Sequence, residues 1–258
     1  MRKSFISSFY DPVMRQKYVL AYGDHKTSIR AGKMAGAEWR EDDAGDDRWW
    51  FFPGKKVTAF YVSSFDFSVR DLGKLLRLCL AGVADALSDG GVEPSGGDEE
   101  FLAHYSDWIF LKVLDILSSK LGKHGLLCDP GPFSCGSTRF TVEMFGKGIF
   151  FVAEKTLDAA KAVIHDRLKA NPPSADSCDG FFGVPTDGSR RTAIMFVHLS
   201  SHGTNHVLAT LAHECIHAAV AIFRSSGVPV KFGSGSPLGK VAASIFETIL
   251  TRMAKRAG

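Results

Sequence analysis

The segment His213-Glu214-Cys215-Ile216-His217 holds the residues of this chain best suited to chemistry. In an α-helix, residues four apart lie one turn apart on nearly the same face, so His213 and His217 present two imidazoles to one point. Two imidazoles so placed are adjacent ligands for a tetrahedral divalent ion, zinc above all. Glu214 is displaced around the helix, where its carboxylate can reach an ion-bound water without taking a ligand position. Five residues therefore supply two ligands for one Zn2+ and a candidate general base for a hydrolase.

A catalytic zinc needs a third protein ligand and an open position. Downstream of His217 the chain has no further His, Asp or Cys and a single acidic residue, Glu247. Glu247 lies in the apolar run SIFETIL, as a buried ligand would, although a glutamate at the surface edge of that helix fits the same pattern. His198, His202 and His206 lie just upstream of the motif and are the other candidates, for a third ligand or for an oxyanion-stabilising or substrate-binding role. Cys215 faces away from the histidines and reads as a packing residue.

The elements that must position these groups are α and β in mixture, so the expected class is α+β. The run VLATLAHECIHAAVAIF is small or apolar almost throughout, which predicts a helix over 206–224 buried nearly all round. Two imidazoles and a carboxylate buried there need partners, and a metal satisfies all three. RRTAIMFVHLS (190–200) reads as the strand leading into this helix, and 238–255 as a closing helix. Upstream, the pattern predicts helices over 71–87 and 98–121, the second opening with acidic residues as the helix dipole favours. Both read as scaffold. Strands are expected at 18–22, 56–64, 139–145 and 148–152, the last two as a hairpin, with a helix over 157–169. The rest of 1–54 reads as irregular, with the aromatic cluster RWWFFPG packing on a core edge, and 171–190 as a loop. No internal repeat is apparent. The expected division is an N-terminal α+β part, 1–137, and a metal-binding part, 138–258.

With 258 residues and 45% hydrophobic content the chain can bury a proper core. Its 31 basic and 28 acidic residues leave a net charge of +3 without a basic patch, which argues against a nucleic-acid partner. No signal-peptide core and no apolar window of membrane-spanning length is apparent, and the five cysteines are irregularly spaced. A cytoplasmic protein with reduced thiols and no membrane partner is the expectation.

The motif HECIH, preceded by the strand AIMFVHL and followed by a helix bearing Glu247, resembles the zincin metallopeptidases, and among them the glutamate-ligand branch, the gluzincins. The resemblance covers about residues 190–258. It implies a peptide or protein substrate pinned by an edge strand above one zinc ion, with RTAIMFVHLS placed to be that strand. The usual acidic residue three or four positions beyond the ligand glutamate is replaced by Leu250 and Thr251, so the partner that orients the first histidine is unassigned. The segment also resembles small HExxH proteins encoded by bacteriophages. Three functions follow as expectations: a zinc metallopeptidase, a non-catalytic zincin-type scaffold or partner-binding module, and a metal hydrolase acting on a non-peptide amide or ester.

Overall fold

A computed structural model describes residues 4–36, 47–92, 98–122, 135–169, 179–183, 192–199, 203–230 and 237–254. Its class is α+β, as expected, with six helices and two four-stranded mixed sheets among the described residues. The first half runs β1 (Phe5–Asp11), β2 (Gln16–Tyr22), α1 (His25–Ala35), β3 (Arg48–Phe52), β4 (Val57–Val62), α2 (Val69–Asp89) and α3 (Asp98–Leu121). The second runs β5 (Gly136–Val142), β6 (Lys147–Glu154), α4 (Leu157–Leu168), β7 (Gly180–Gly183), β8 (Thr192–His198), α5 (Thr204–Ser225) and α6 (Pro237–Ala254).

The two halves repeat one topology. Strand order is β1-β2-β4-β3 in one sheet and β5-β6-β8-β7 in the other. In each sheet an antiparallel hairpin is followed by a parallel central pair and an antiparallel outer strand. The expectation of no internal repeat is therefore corrected at the level of topology. A repeated fold keeps only its apolar pattern, and that pattern survives complete exchange of residue identities. Val57 and Val69 begin β4 and α2 at the same spacing as Thr192 and Thr204 begin β8 and α5. On that correspondence His213, Glu214 and His217 fall at Leu78, Cys79 and Gly82, so only the second half carries the motif.

The strand alternation explains the layers. In β2 and β4, Val19, Ala21, Val57, Ala59 and Tyr61 turn toward α1, while Tyr18, Leu20, Phe60 and Val62 turn toward the long helices. Sheet two does the same, with Phe150, Val152, Ile194 and Phe196 against α4 and Phe151, Met195 and Val197 facing inward. One core of buried side chains from α2, α3, α5 and α6 thus lies between the inner sheet faces. Within it α3 packs along α5, α2 along α6, and α5 along α6.

Several boundaries differ from expectation. The region 1–54 is not irregular: it supplies β1, β2, α1 and β3. Helix α2 starts at Val69 rather than 71, capped by Ser68, whose side chain accepts from the backbone N–H of Asp71. The expected loop over 171–190 contains the short strand β7. Helix α5, with mean hydropathy 1.4 over its apolar window, is long and apolar enough to cross a membrane, contrary to the sequence reading. That window is 78% buried inside the protein, the pattern of a core helix. Cys79 and Cys215 are buried free thiols and Cys135 is an exposed one. Cys128 and Cys178 lie outside the described residues.

Candidate metal centre

The helix α5 delivers His213, Glu214 and His217 as its spacing requires. His213 and Glu214 are buried and His217 is half-buried. The two Nε2 atoms face each other 3.0 Å apart. A carboxylate closes the set, and it comes from α3: Glu100 Oε2 lies 3.2 Å from His217 Nε2, and Oε1 lies 3.6 Å from His213 Nε2. A tetrahedral ion with bonds of about 2.0–2.1 Å holds its ligand atoms roughly 3.3 Å apart. The separations of 3.0, 3.2 and 3.6 Å, the last two to different oxygens of Glu100, lie near that figure, so the three groups are close enough together to converge on a single ion.

Glu247, the expected third ligand, is elsewhere. Its carboxylate lies against α2, where a Cβ built on Gly73 would come within 2.0 Å of Oε1. Its acidity responds to burial and then to the cations Arg70, Arg77 and Lys74, not to the histidines. The physical reason is that α6 packs against α2 as well as α5, and Glu247 is on the side that meets α2. Helix α3, read from the sequence as scaffold, brings its own side chains to the motif. Glu100, His104 and Asp107 recur at one face of α3, and that face meets α5.

The surrounding groups orient the set. Nδ1 of His213 donates to Asp107 Oδ2 at 2.9 Å. Asp107 thus stands where an acid orienting that histidine would be expected. His104 lies with its ring 4.5 Å from that of His213, and its Nε2 is 2.9 Å from Glu100 Oε1. Burial lowers the pKa of His213, but its hydrogen bond to Asp107 and the nearby charges of Glu214, Asp107 and Glu100 outweigh that and raise it. His217 is held below its ordinary value by burial first and by His213 second, so its ring is neutral and able to ligate at neutral pH. Burial pushes Glu214 up to about 8, against the opposing pull of His213.

A cavity of about 390 Å³ opens over these residues, lined by His213, Glu214, His217, Glu100 and, from the opposite wall, Gly180, Phe181 and Phe182 of β7. The strand beside the motif is thus β7, not RTAIMFVHLS, because β8 is an inner strand paired on both sides, by β6 and β7. Gly180 is required at this approach. A Cβ there would meet Thr210 Cγ2 at 2.8 Å and Glu214 Oε1 at 2.9 Å. The backbone N–H of His198 donates to the carbonyl of Asp179, which makes that pair a hydrogen-bonded one. In an antiparallel ladder the next residues alternate, so Gly180 and Phe182 direct their N–H and C=O away from β8, toward the outer edge.

His198 and His206 are not among the residues that line this cavity. His206, at the start of α5, pairs with Asp179 at 3.1 Å and so ties the helix start to the residue before β7. The ring of His198 contacts the carbonyl oxygen of Lys155. His202 lies outside the described residues. Cys215 packs in the core, as expected. Searches against known protein families, curated proteins and solved structures found no match for this chain.

Proposed function

We propose that this chain is a zinc-dependent hydrolase of peptide bonds, with His213, His217 and Glu100 holding one ion and Glu214 as general base. The observation that carries the reading is the convergence of those three donors at zinc-ligand separations beside a buried carboxylate in an open cavity. A bound zinc would supply a Lewis acid and lower the pKa of water toward about 7.

The chain's own residues account for the rest of the proposed reaction. Glu214, sealed from bulk water between α5 and Gly180, accepts a proton from the attacking water and passes it to the leaving amine. Before metal binding burial raises its pKa to about 8, so it is largely protonated at neutral pH, and the charge of a bound cation would lower that value and free the carboxylate to act as base. The outward N–H and C=O of Gly180 and Phe182 offer an extended substrate a partner strand, in the manner of β-augmentation. The same N–H groups are the candidates for stabilising an oxyanion, in place of His198 and His206. A zincin-like core is part of this proposal, with one departure. The carboxylate ligand precedes the HExxH helix in the chain, on α3, whereas the gluzincin pattern has it following.

The test is cleavage of a broad peptide library by wild-type protein and by Glu214→Gln, each with zinc content measured. Cleavage by the wild type, with Glu214→Gln retaining zinc and losing at least about 100-fold in rate, supports the proposal. Full zinc occupancy with no cleavage by either protein would rule out the peptidase and leave the metal centre standing.

A further inference from the structure

The two histidines are supported unequally. His213 has a direct hydrogen bond at Nδ1, but the carboxylate oxygen facing Nδ1 of His217 is Glu99 Oε1, at 3.9 Å. Glu99 stands in the first turn of α3, where backbone N–H groups have no partner within the helix and the chain is least constrained. Its neighbour is Glu100, the carboxylate that completes the donor set. Something outside α3 must therefore fix this turn if Glu100 is to stay in place.

Arg224 meets that need. Its guanidinium forms an ion pair with Glu99 Oε2, an oxygen shut away from solvent. Arg224 lies two turns beyond His217 on the same face of α5, with Ala221 between them at the cavity wall. The pair thus joins the last turn of α5 to the first turn of α3, next to the proposed ligands on both helices. A cation in the last turn of a helix is favourable to its dipole wherever it points. Here the side chain reaches across to a buried carboxylate oxygen, which a dipole role does not require.

We propose that Arg224 is a positioning residue for the metal centre. Through Glu99 it holds the turn that carries Glu100 and keeps a carboxylate beside the His217 ring. This inference rests on the proposed metal site, and it adds a residue outside the ligand set on which metal affinity depends. Partners of ligating residues contribute about 10- to 100-fold in affinity when intact, and that is the scale to expect.

The experiment is titration of the metal-free full-length protein with zinc, and separately with cobalt(II) read by its visible spectrum, for Arg224→Met, Arg224→Lys, Glu99→Gln and the double variant Arg224→Met/Glu99→Gln. Thermal midpoints of the metal-free proteins are recorded alongside. The inference predicts zinc affinity about 10- to 100-fold weaker for Arg224→Met and for Glu99→Gln, and weaker four-coordinate cobalt bands. Arg224→Lys should recover most of the loss, and the double variant should be no worse than either single one, because both act through one contact. Zinc affinity of Arg224→Met within about twofold of wild type, or additive losses in the double variant, would overturn it. Should Arg224→Met fail to fold, unchanged affinity in the near-isosteric Glu99→Gln overturns it equally. Wild-type protein that binds neither metal would refute the metal centre itself, a result distinguishable from all of these.

Discussion

Asp107 and His213 are joined by a 2.9 Å hydrogen bond across a separation of 106 residues, with Nδ1 of the imidazole donating to Oδ2 of the carboxylate. The bond fixes the tautomer: with a proton on Nδ1, the lone pair is on Nε2, which points toward His217 and Glu100. Helix α3 in this way supplies both a carboxylate for the donor set and the acid that aims one of its histidines. Asp107→Asn keeps the size and one hydrogen-bond acceptor but removes the charge. Zinc affinity is expected to fall about 10- to 100-fold, measured by competition with a chelator. Affinity equal to wild type would mean that Asp107 merely packs.

Zinc affinity should also depend on pH in a defined direction. Because Asp107, Glu214 and Glu100 raise His213 above its ordinary pKa of 6.5 in the metal-free protein, a proton competes with the ion at that ring. His217, lowered by burial, presents no such competition at neutral pH. Affinity is therefore expected to drop by at least about tenfold per unit as pH falls below the raised His213 value, with one proton released per zinc from His213 and a second from Glu214, which must ionise to act as base. Calorimetry in buffers of different ionisation enthalpy measures that proton count. A count of zero at pH 6 would contradict the assignment.

Glu214 should be a burden to the metal-free fold. Its pKa rises from 4.5 to about 8, chiefly by burial, so its folded form prefers to be protonated. For a group whose folded pKa is raised, the associated stability is fully present below the unfolded value of 4.5 and is lost as pH climbs toward 8. Glu214→Gln removes that titration. The variant is expected to be more stable than wild type at pH 8, by about 4 kcal/mol in the absence of metal, with the difference vanishing near pH 4. Denaturant unfolding at both pH values, with chelator present, checks this. A destabilised variant at pH 8 would show that the carboxylate is satisfied by contacts other than a metal.

Gly180 should be intolerant of a side chain for a reason unrelated to its backbone freedom. A Cβ at this position would crowd Glu214 Oε1 at 2.9 Å and Thr210 Cγ2 at 2.8 Å. Gly180→Val is expected to lower hydrolysis by about 10- to 100-fold through displacement of Glu214 or β7, while zinc binding at His213, His217 and Glu100 persists. Unchanged turnover would remove β7 from the account of the site.

The legible and illegible parts of this molecule differ in how far the controlling contacts reach. Helix α5, expected over 206–224, spans Thr204–Ser225, because its motif and its apolar face are both local patterns of period 3.6. The hairpin of β5 and β6 was legible from alternating apolar residues around Gly146. The third donor was not. Glu100 meets His217 only because α3 packs along α5, and no local pattern encodes which helices become neighbours. A signal did exist in the recurrence of Glu100, His104 and Asp107 on one helical face, but it lay upstream of the motif, in a helix that read as scaffold. Strand β7 was hidden for another reason. Four residues, GFFG, are too few to show an alternation, and glycines at both ends read as loop. The repeated topology escaped because Leu78, Cys79 and Gly82 stand where the motif residues stand, leaving only shared apolarity to compare.

The central claim is that Glu100, His213 and His217 hold one zinc ion and that Glu247 does not. Its most direct test is metal content by mass spectrometry after zinc loading and dialysis, for wild type, Glu100→Gln and Glu247→Gln. The account predicts one zinc per chain in wild type and in Glu247→Gln, and loss of the metal in Glu100→Gln. A wild-type protein without bound zinc, or zinc lost from Glu247→Gln but kept by Glu100→Gln, would contradict it.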